Sequence, residues 1–449
     1  MSLSDDSTSA PKPSDRTPRG VRRVWGRRVL GEFDYEIDFE SRITPENRLR
    51  VIYAENGMGK TNFLRALYYL LDARIEHFQA LAEIPIQAVG AELRSGWTIE
   101  MSNSEEAAVF GLTFRITPPP GSHDEGAEIT LGAEELDGRY ALRSWQRRPA
   151  YGAFQALVSR LDLATLFVGD DRAVLSSLEA PRVTSEPHTI REQRDHAARL
   201  HRRMSVRESL DNLESAFTRL AIAGISRDQS EASPQGVYLD ITNRVLAGTS
   251  SPPLAADARV DLISRCSDVI DRGTAYEKYG LLSLRQVHGI YKALTATRTN
   301  DTRLRQLHTV IDPYLTSVDD EITRLAATQK LIDTFVQSVN GFLTRKELRF
   351  SALRGISLVD QSGQILNPES LSSGEKHLLL LMSNATLARF SGALVIIDEP
   401  ELSLGLRWQR VLLRELLRCT EGSSVQFVVA SHSVQILGDI DDISSPVPS

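Results

Sequence analysis

The chain has 449 residues, 41% of them hydrophobic and 25% charged, with a formal net charge of −7. That mixture belongs to a soluble protein large enough for one big α/β core with an inserted subdomain, and its acidic balance argues against indiscriminate nucleic-acid binding. No apolar run approaches the ~20 residues that span a bilayer, and two cysteines, Cys266 and Cys419, are too few for a disulfide framework and lack metal-ligand spacing. A cytoplasmic protein without membrane contact is expected.

Residues 1–20, rich in Ser, Asp and Pro and without an apolar stretch, read as a disordered tail. The first structured piece is expected over 21–180. Val24 to Val29 and Phe33 to Phe39 read as two strands around Gly31, the second alternating apolar and polar residues. Leu49 to Tyr53 is a β-rich run that leads directly into a glycine-bearing turn. Thr61 to Leu71 then places Phe63, Leu64, Ala66, Leu67 and Leu70 at helical spacing. Strand-like runs follow at Ile84 to Leu93, Trp97 to Met101 and Val109 to Ile116, and the Pro118-Pro119-Pro120-Gly121 loop ends them. Leu163 to Val168 is a further apolar run, closed by Gly169-Asp170-Asp171-Arg172.

A helical insertion is expected over 185–343, broken by Ser/Pro/Gly clusters at Ser230 to Gln235 and Gly248 to Leu254. In its last helix Leu315, Val318, Ile322, Leu325, Ile332, Phe335, Val339 and Phe342 recur every three or four residues, the pattern of a packing helix. The insertion also carries Arg191, Arg194, Arg199, Arg202, Arg203 and Arg207 among three histidines. Glu192, Asp195 and Glu208 partly cancel that charge, so a solvated face is the simpler reading, with nucleic acid or an acidic partner as the alternative. The last piece, 345–437, offers strands at Glu347 to Ser351 and Ile356 to Val359. Then come a helix from Lys376 to Ala388, a strand from Ala393 to Ile397, a helix from Leu406 to Leu417 and a strand from Val425 to Ala430. Such alternation suits a parallel sheet wrapped by helices. Residues 438–449 read as a polar tail.

Four segments carry chemistry. Glu55-Asn56-Gly57-Met58-Gly59-Lys60-Thr61-Asn62 lies between a strand and a helix. That is the context in which backbone N–H groups cradle a polyphosphate, Lys60 reaches the β/γ-phosphates and Thr61 ligates Mg²⁺. Ala54 stands where the usual motif has glycine, which is tolerable if its φ is negative. The second segment, Leu394 to Ile397, is a branched apolar run that ends in Asp398 and Glu399. Burial on both faces is expected, with Asp398 on Mg²⁺ or its water and Glu399 as the base that polarises the attacking water. The third, Leu371-Ser372-Ser373-Gly374-Glu375, opens a helix and presents hydroxyl and N–H groups to an anion. There Ser373 is expected to be the cap. The fourth is Ala430-Ser431-His432-Ser433, which puts His432 just past a strand, within reach of a γ-phosphate.

In combination, these segments and the run Asp398-Glu399-Pro400-Glu401-Leu402-Ser403-Leu404 resemble ATP-binding-cassette ATPases of the chromosome-maintenance and DNA-repair class. They are most similar to the ATPase domains of overcoming-lysogenization-defect (OLD) proteins and related anti-phage defence ATPases. The resemblance covers roughly 20–180 and 345–435. It implies an α/β, two-lobed ABC-type P-loop ATPase head with an inserted α-helical subdomain. It also implies ATP with Mg²⁺, and a homodimer or higher oligomer whose heads sandwich ATP so that Ser372 and Gly374 of one head complete the site of the other. Gln87 is assigned as the Mg²⁺-sensing glutamine. Gly405 stands where many relatives have histidine. The resemblance further implies ATP hydrolysis that controls a separate effector, a nuclease or toxin. The alternative is a recombination mediator of the RecF type that clamps DNA directly.

Overall fold

The structure is a computed structural model that describes residues 20–39, 46–104, 111–132, 149–161, 163–171, 174–176, 204–226, 258–296, 301–438 and 443–448. The expected tail at 1–19, Val109, Arg172 and the arginines from Arg191 to Arg203 lie outside the described residues. The chain divides into two compact units, 1–204 with 384–449, and 205–383.

In chain order, the first elements are β1 (Val21–Val29), β2 (Phe33–Asp38), β3 (Leu49–Tyr53), α1 (Lys60–Asp72) and α2 (Ile75–Ala82). Strands β4 (Ala88–Leu93), β5 (Thr98–Ser104), β6 (Gly111–Thr117) and β7 (Ala127–Gly132) follow. Then come α3 (Pro149–Leu161), β8 (Thr165–Val168) and β9 (Val174–Ser176). Helices α4 (Val206–Ser226), α5 (Ala258–Glu277), α6 (Arg285–Ala296) and α7 (Asp301–Phe342) precede strands β10 (Lys346–Ser351), β11 (Gly355–Asp360) and β12 (Ile365–Leu366). The last elements are α8 (Ser373–Ala388), β13 (Leu394–Asp398), α9 (Leu406–Cys419), β14 (Gln426–Ser431), α10 (Val434–Leu437), β15 (Ile443–Ser444) and β16 (Val447–Pro448).

The first unit holds two sheets. One is six-stranded, in the order β15-β3-β14-β13-β8-β9. Its four central strands run parallel, and β8, β13 and β14 are buried at every position. That pattern requires cover on both faces, which explains why these strands read as unbroken apolar runs. The other sheet is seven-stranded and antiparallel, in the order β16-β2-β1-β4-β5-β6-β7. Between them lies one core, in which α1 contributes Phe63, Leu64, Leu67 and Leu70 beside Val24, Phe114, Phe154, Ile396 and Val428. Phe63 stacks on Tyr35 with ring centroids 4.8 Å apart. This contact requires Gly26 in β1, because a Cβ there would lie 2.6 Å from the Phe63 ring. The expected polar tail contributes β15 and β16, which extend both sheets. Elements without an expectation include α2, α3, β7, β9, β12 and α10.

The second unit contains α4 to α7 with the antiparallel sheet β10-β11-β12. All eight residues of the expected seam on α7, from Leu315 to Phe342, are buried. Phe217 of α4 meets Phe335 of α7 and Phe350 of β10 edge-on, at 5.8 and 5.4 Å between centroids. The Asn340 side chain pairs with both backbone groups of Leu348, and Glu214 accepts from the Ile356 N–H at 2.7 Å. These bonds explain why residues 345–383 group with the helices, although they were expected to group with the last piece of the head. The division falls within α8. The expected α/β class holds, with the second unit inserted between the two chain segments of the first.

Candidate functional site

Parallel strands deliver their carboxyl ends to one edge of a sheet, and a ligand site forms there. In the first unit the register pairs Tyr53 with Ser431, Asp398 with Ala430, and Ile397 with Val168. Four chain segments therefore leave the sheet side by side: the glycine loop after β3, the acidic turn after β13, the histidine segment after β14 and Asp170 after β8.

The glycine loop is built by backbone conformation. Gly57 and Gly59 have φ of 87° and 82°, a region that favours glycine. A Cβ on Gly59 would also lie 2.7 Å from Val29. Ala54 is buried and is not among the residues of positive φ, so alanine meets the condition expected of it. Glu55, Asn56 and Gly57 are exposed, Met58, Gly59, Thr61 and Asn62 are half-buried, and Tyr35 fixes the loop by donating to the Met58 carbonyl at 2.5 Å. Helix α1 starts without a side-chain cap, so its first N–H groups face the loop as an anion site. Lys60 is 6% exposed, and its Nζ donates to the carbonyls of Ala54 at 2.6 Å and Glu55 at 3.2 Å. It also lies 3.5 Å from Glu399 Oε1.

Asp398 is fully buried, and among the described residues neither of its carboxylate oxygens has a donor in bonding geometry. Burial pushes its carboxyl up to about 6; the nearby Thr61 hydroxyl opposes that push and the Asp170 charge adds to it. A buried carboxylate with unspent oxygens beside a hydroxyl fits a hard divalent cation such as Mg²⁺. Glu399 follows with φ of 49°, and its N–H donates to the Ala430 carbonyl at 2.9 Å. Burial pushes the Glu399 carboxyl above the ordinary range, and Glu401 pushes it further, against His432 and Lys60. The Glu399 Oε2 is hydrogen-bonded to His432 Nδ1. Lys60, Thr61, Asp398, Glu399 and His432 thus meet within one unit, as the motif order led us to expect.

The remaining expected residues belong to other elements. Leu371 to Glu375 belong to the second unit. Helix α8 begins at Ser373, so the cap is Ser372 and not Ser373 as expected. The Ser372 hydroxyl donates to Glu375 Oε2 at 2.7 Å, and its backbone N–H donates to the same oxygen at 2.8 Å. This reciprocal capping box was legible in the Ser-x-x-Glu spacing. Burial opposes ionisation of Glu375, but Lys346 at 2.7 Å and Ser372 outweigh it and hold the carboxyl below its ordinary range. Gln87 precedes β4 in the antiparallel sheet, where its backbone bonds to Arg27 and Asn103. The group that presses on Asp398 is Asp170, paired with Arg65 at 2.9 Å. The sequence flagged Asp170 only as the close of an apolar run. Glu401 is the other residue without an expected role.

Residues 226–438 match a family model described as "AAA domain, putative AbiEii toxin, Type IV TA system". The match is just under half of the chain and does not include the glycine loop. No curated protein matches. Among solved structures, the chain is similar to a Pyrococcus furiosus Smc head domain with an extended coiled coil, bound to the C-terminal domain of ScpA. That similarity has 12% identity, covers 96% of each chain and has a TM-score of 0.39. An Smc head domain from Pyrococcus yayanosii gives 14% identity, 95% of each chain and a TM-score of 0.33. For an SMC head domain from Thermotoga maritima the values are 12%, 96% and 98% of the two chains, and 0.30.

Proposed function

We propose that this chain is an ATPase whose heads pair around ATP and whose turnover gates a separate effector. The observation that carries the reading is the convergence of Lys60, Thr61, Asp398, Glu399 and His432 at the carboxyl edge of one parallel sheet. The glycine loop and the start of α1 bind the polyphosphate through backbone N–H groups. Lys60 exchanges its carbonyl partners for phosphate oxygens. Asp398 and Thr61 would hold Mg²⁺, which supplies neutralisation of charge on the phosphates. Glu399 orients the attacking water and accepts its proton. His432, bonded to Glu399 Oε2 while Lys60 lies near Oε1, holds the γ-phosphate side of the site. Ser372 and Gly374 of a second head complete the site.

The name of the matching family, with its toxin and toxin–antitoxin terms, supports a defence setting in which the effector is a nuclease or toxin. Phosphate release from ATP by the purified chain tests the reading. Turnover that requires Mg²⁺ and disappears in Lys60→Ala is the expected result. Persistent turnover in that variant would mean that the glycine loop is not the site. Tight, salt-dependent binding to duplex DNA by the chain alone would replace effector gating with direct clamping of DNA.

A further inference from the structure

We infer that Glu401 is a positioning residue that ties the turn after β13 to the His432 segment and so fixes the imidazole against Glu399. The inference rests on the catalytic reading above for its consequence but not for its geometry. Glu401 is 5% exposed. Its Oε1 accepts from the Ser431 hydroxyl at 2.5 Å, the His432 N–H at 3.0 Å and the Ser433 N–H at 3.1 Å. A buried carboxyl group needs such donors, because an unpaired polar atom away from water is costly. One oxygen therefore gathers three consecutive residues of the histidine segment.

A second tie runs in parallel. Gln409 donates to the Leu404 carbonyl at 2.9 Å and accepts from the Ser433 hydroxyl at 2.9 Å. The turn between these ties is closed by its own bonds, from the Leu402 N–H to the Glu399 carbonyl and from the Leu404 N–H to the Glu401 carbonyl. Glu399 and Ser403 both sit at positive φ without being glycine, a conformation that persists only where its surroundings enforce it. Ser403, Gly405 and Leu406 form the exposed crest of this turn. A displacement of that crest is passed through Glu401 to the backbone of His432, and from there to the bond between the imidazole and Glu399. Misplacing a reacting group by about 1 Å can cost on the order of 10²-fold in rate.

The test uses the full chain labelled with ¹³C-histidine, with His432→Ala to assign the ring signals. Without nucleotide, Glu401→Ala is expected to move the His432 signals and Glu401→Gln to leave them close to wild type. Glutamine keeps an acceptor in place of Oε1, and its amide replaces Oε2, which has no hydrogen-bond partner among the described residues. With ATP, Glu401→Ala should lower kcat by about 10²-fold with nucleotide Kd changed less than about threefold, and Glu401→Gln should recover most of kcat. Unmoved ring signals in Glu401→Ala would overturn the inference, as would parallel loss of kcat and nucleotide affinity. Should Glu401→Ala not fold, Ser431→Ala removes one donor. It should move the ring signals in a smaller measure, and no movement there overturns the inference too. A wild-type chain that does not hydrolyse ATP refutes the proposed function, while the ring signals still decide the clasp.

Discussion

Replacing Asp398 with asparagine should stabilise the nucleotide-free chain. Asp398 is fully buried, and burial lifts its carboxyl from 3.8 to about 6. At 1.36 kcal/mol per pKa unit, that displacement means that ionised Asp398 costs the folded state about 3 kcal/mol at pH 8. The folded state binds the proton more tightly than the unfolded chain does. Stability therefore falls as pH rises from about 4 to about 6, and the deficit is full above that window. Asparagine carries no charge, so its gain should be largest at pH 8 and vanish below about pH 4, where both states of the aspartate are protonated. Among the described residues, Trp25, Trp97 and Trp408 are the tryptophans, and all three belong to the unit that carries the site. Urea unfolding followed by tryptophan fluorescence therefore reports on that unit. Partial relaxation and the loss of the Lys60 and Arg65 fields make 3 kcal/mol an upper value, and 1–3 kcal/mol is the expected gain. The same variant should lose the extra stability that Mg²⁺ with ATP confers on wild type. Destabilisation at pH 8, or a gain that does not change with pH, would refute the assignment of Asp398 as a strained buried carboxylate awaiting a cation.

Lys60→Ala should abolish nucleotide binding, whereas Ser372→Arg should keep binding and stop turnover; mixing the two should restore part of the phosphate release. Loss of binding in the Ser372 variant, measured with a fluorescent ATP analogue, would contradict its action across two heads. Gly26→Val should destabilise the first unit by at least 1–3 kcal/mol in the same urea assay, because its Cβ would lie 2.6 Å from the Phe63 ring; an unchanged midpoint would show that the ring can retreat. Because burial and Glu401 raise the Glu399 carboxyl, kcat should fall as pH drops through a limb above pH 4.5, the ordinary value for a glutamate carboxyl. A limb at or below that value would mean that another group is the base.

Much of the fold was legible because its key strands are buried on both faces. Leu394 to Ile397 could be placed centrally from branched residues alone, Val425 to Ala430 could be read as a strand of the same alternation, and the seam on α7 followed from its spacing. The missed elements gave weaker signals. In β7 only Ile129 and Leu131 are buried, and α2 has only eight residues, too few to show a period. At the site, the meeting of Lys60, Thr61, Asp398 and Glu399 could be expected because the glycine loop and the acidic pair each follow directly on a strand-like run that the sequence marks. The parts of Asp170 and Glu401 could not, since their roles arise from strand register. Asp170 meets Asp398 only because β8 lies beside β13, and Glu401 meets three residues about 30 positions later because β13 pairs with β14. Ser372 and not Ser373 is the cap because only Ser372 has a glutamate three residues on, whereas Ser373 is followed at that distance by Lys376.

Sedimentation of Glu399→Gln with ATP and Mg²⁺ tests the central claim most directly. Glutamine keeps the size of the side chain and leaves Asp398 and Thr61 in place but removes the base, so ATP should bind and persist between two heads. A long-lived, ATP-dependent assembly of two chains, or of closed heads within a larger oligomer, is expected, and it should dissociate when Lys60→Ala is added to the same chain. Wild-type rates of phosphate release in Glu399→Gln, or no change in assembly on adding ATP, would contradict the claim.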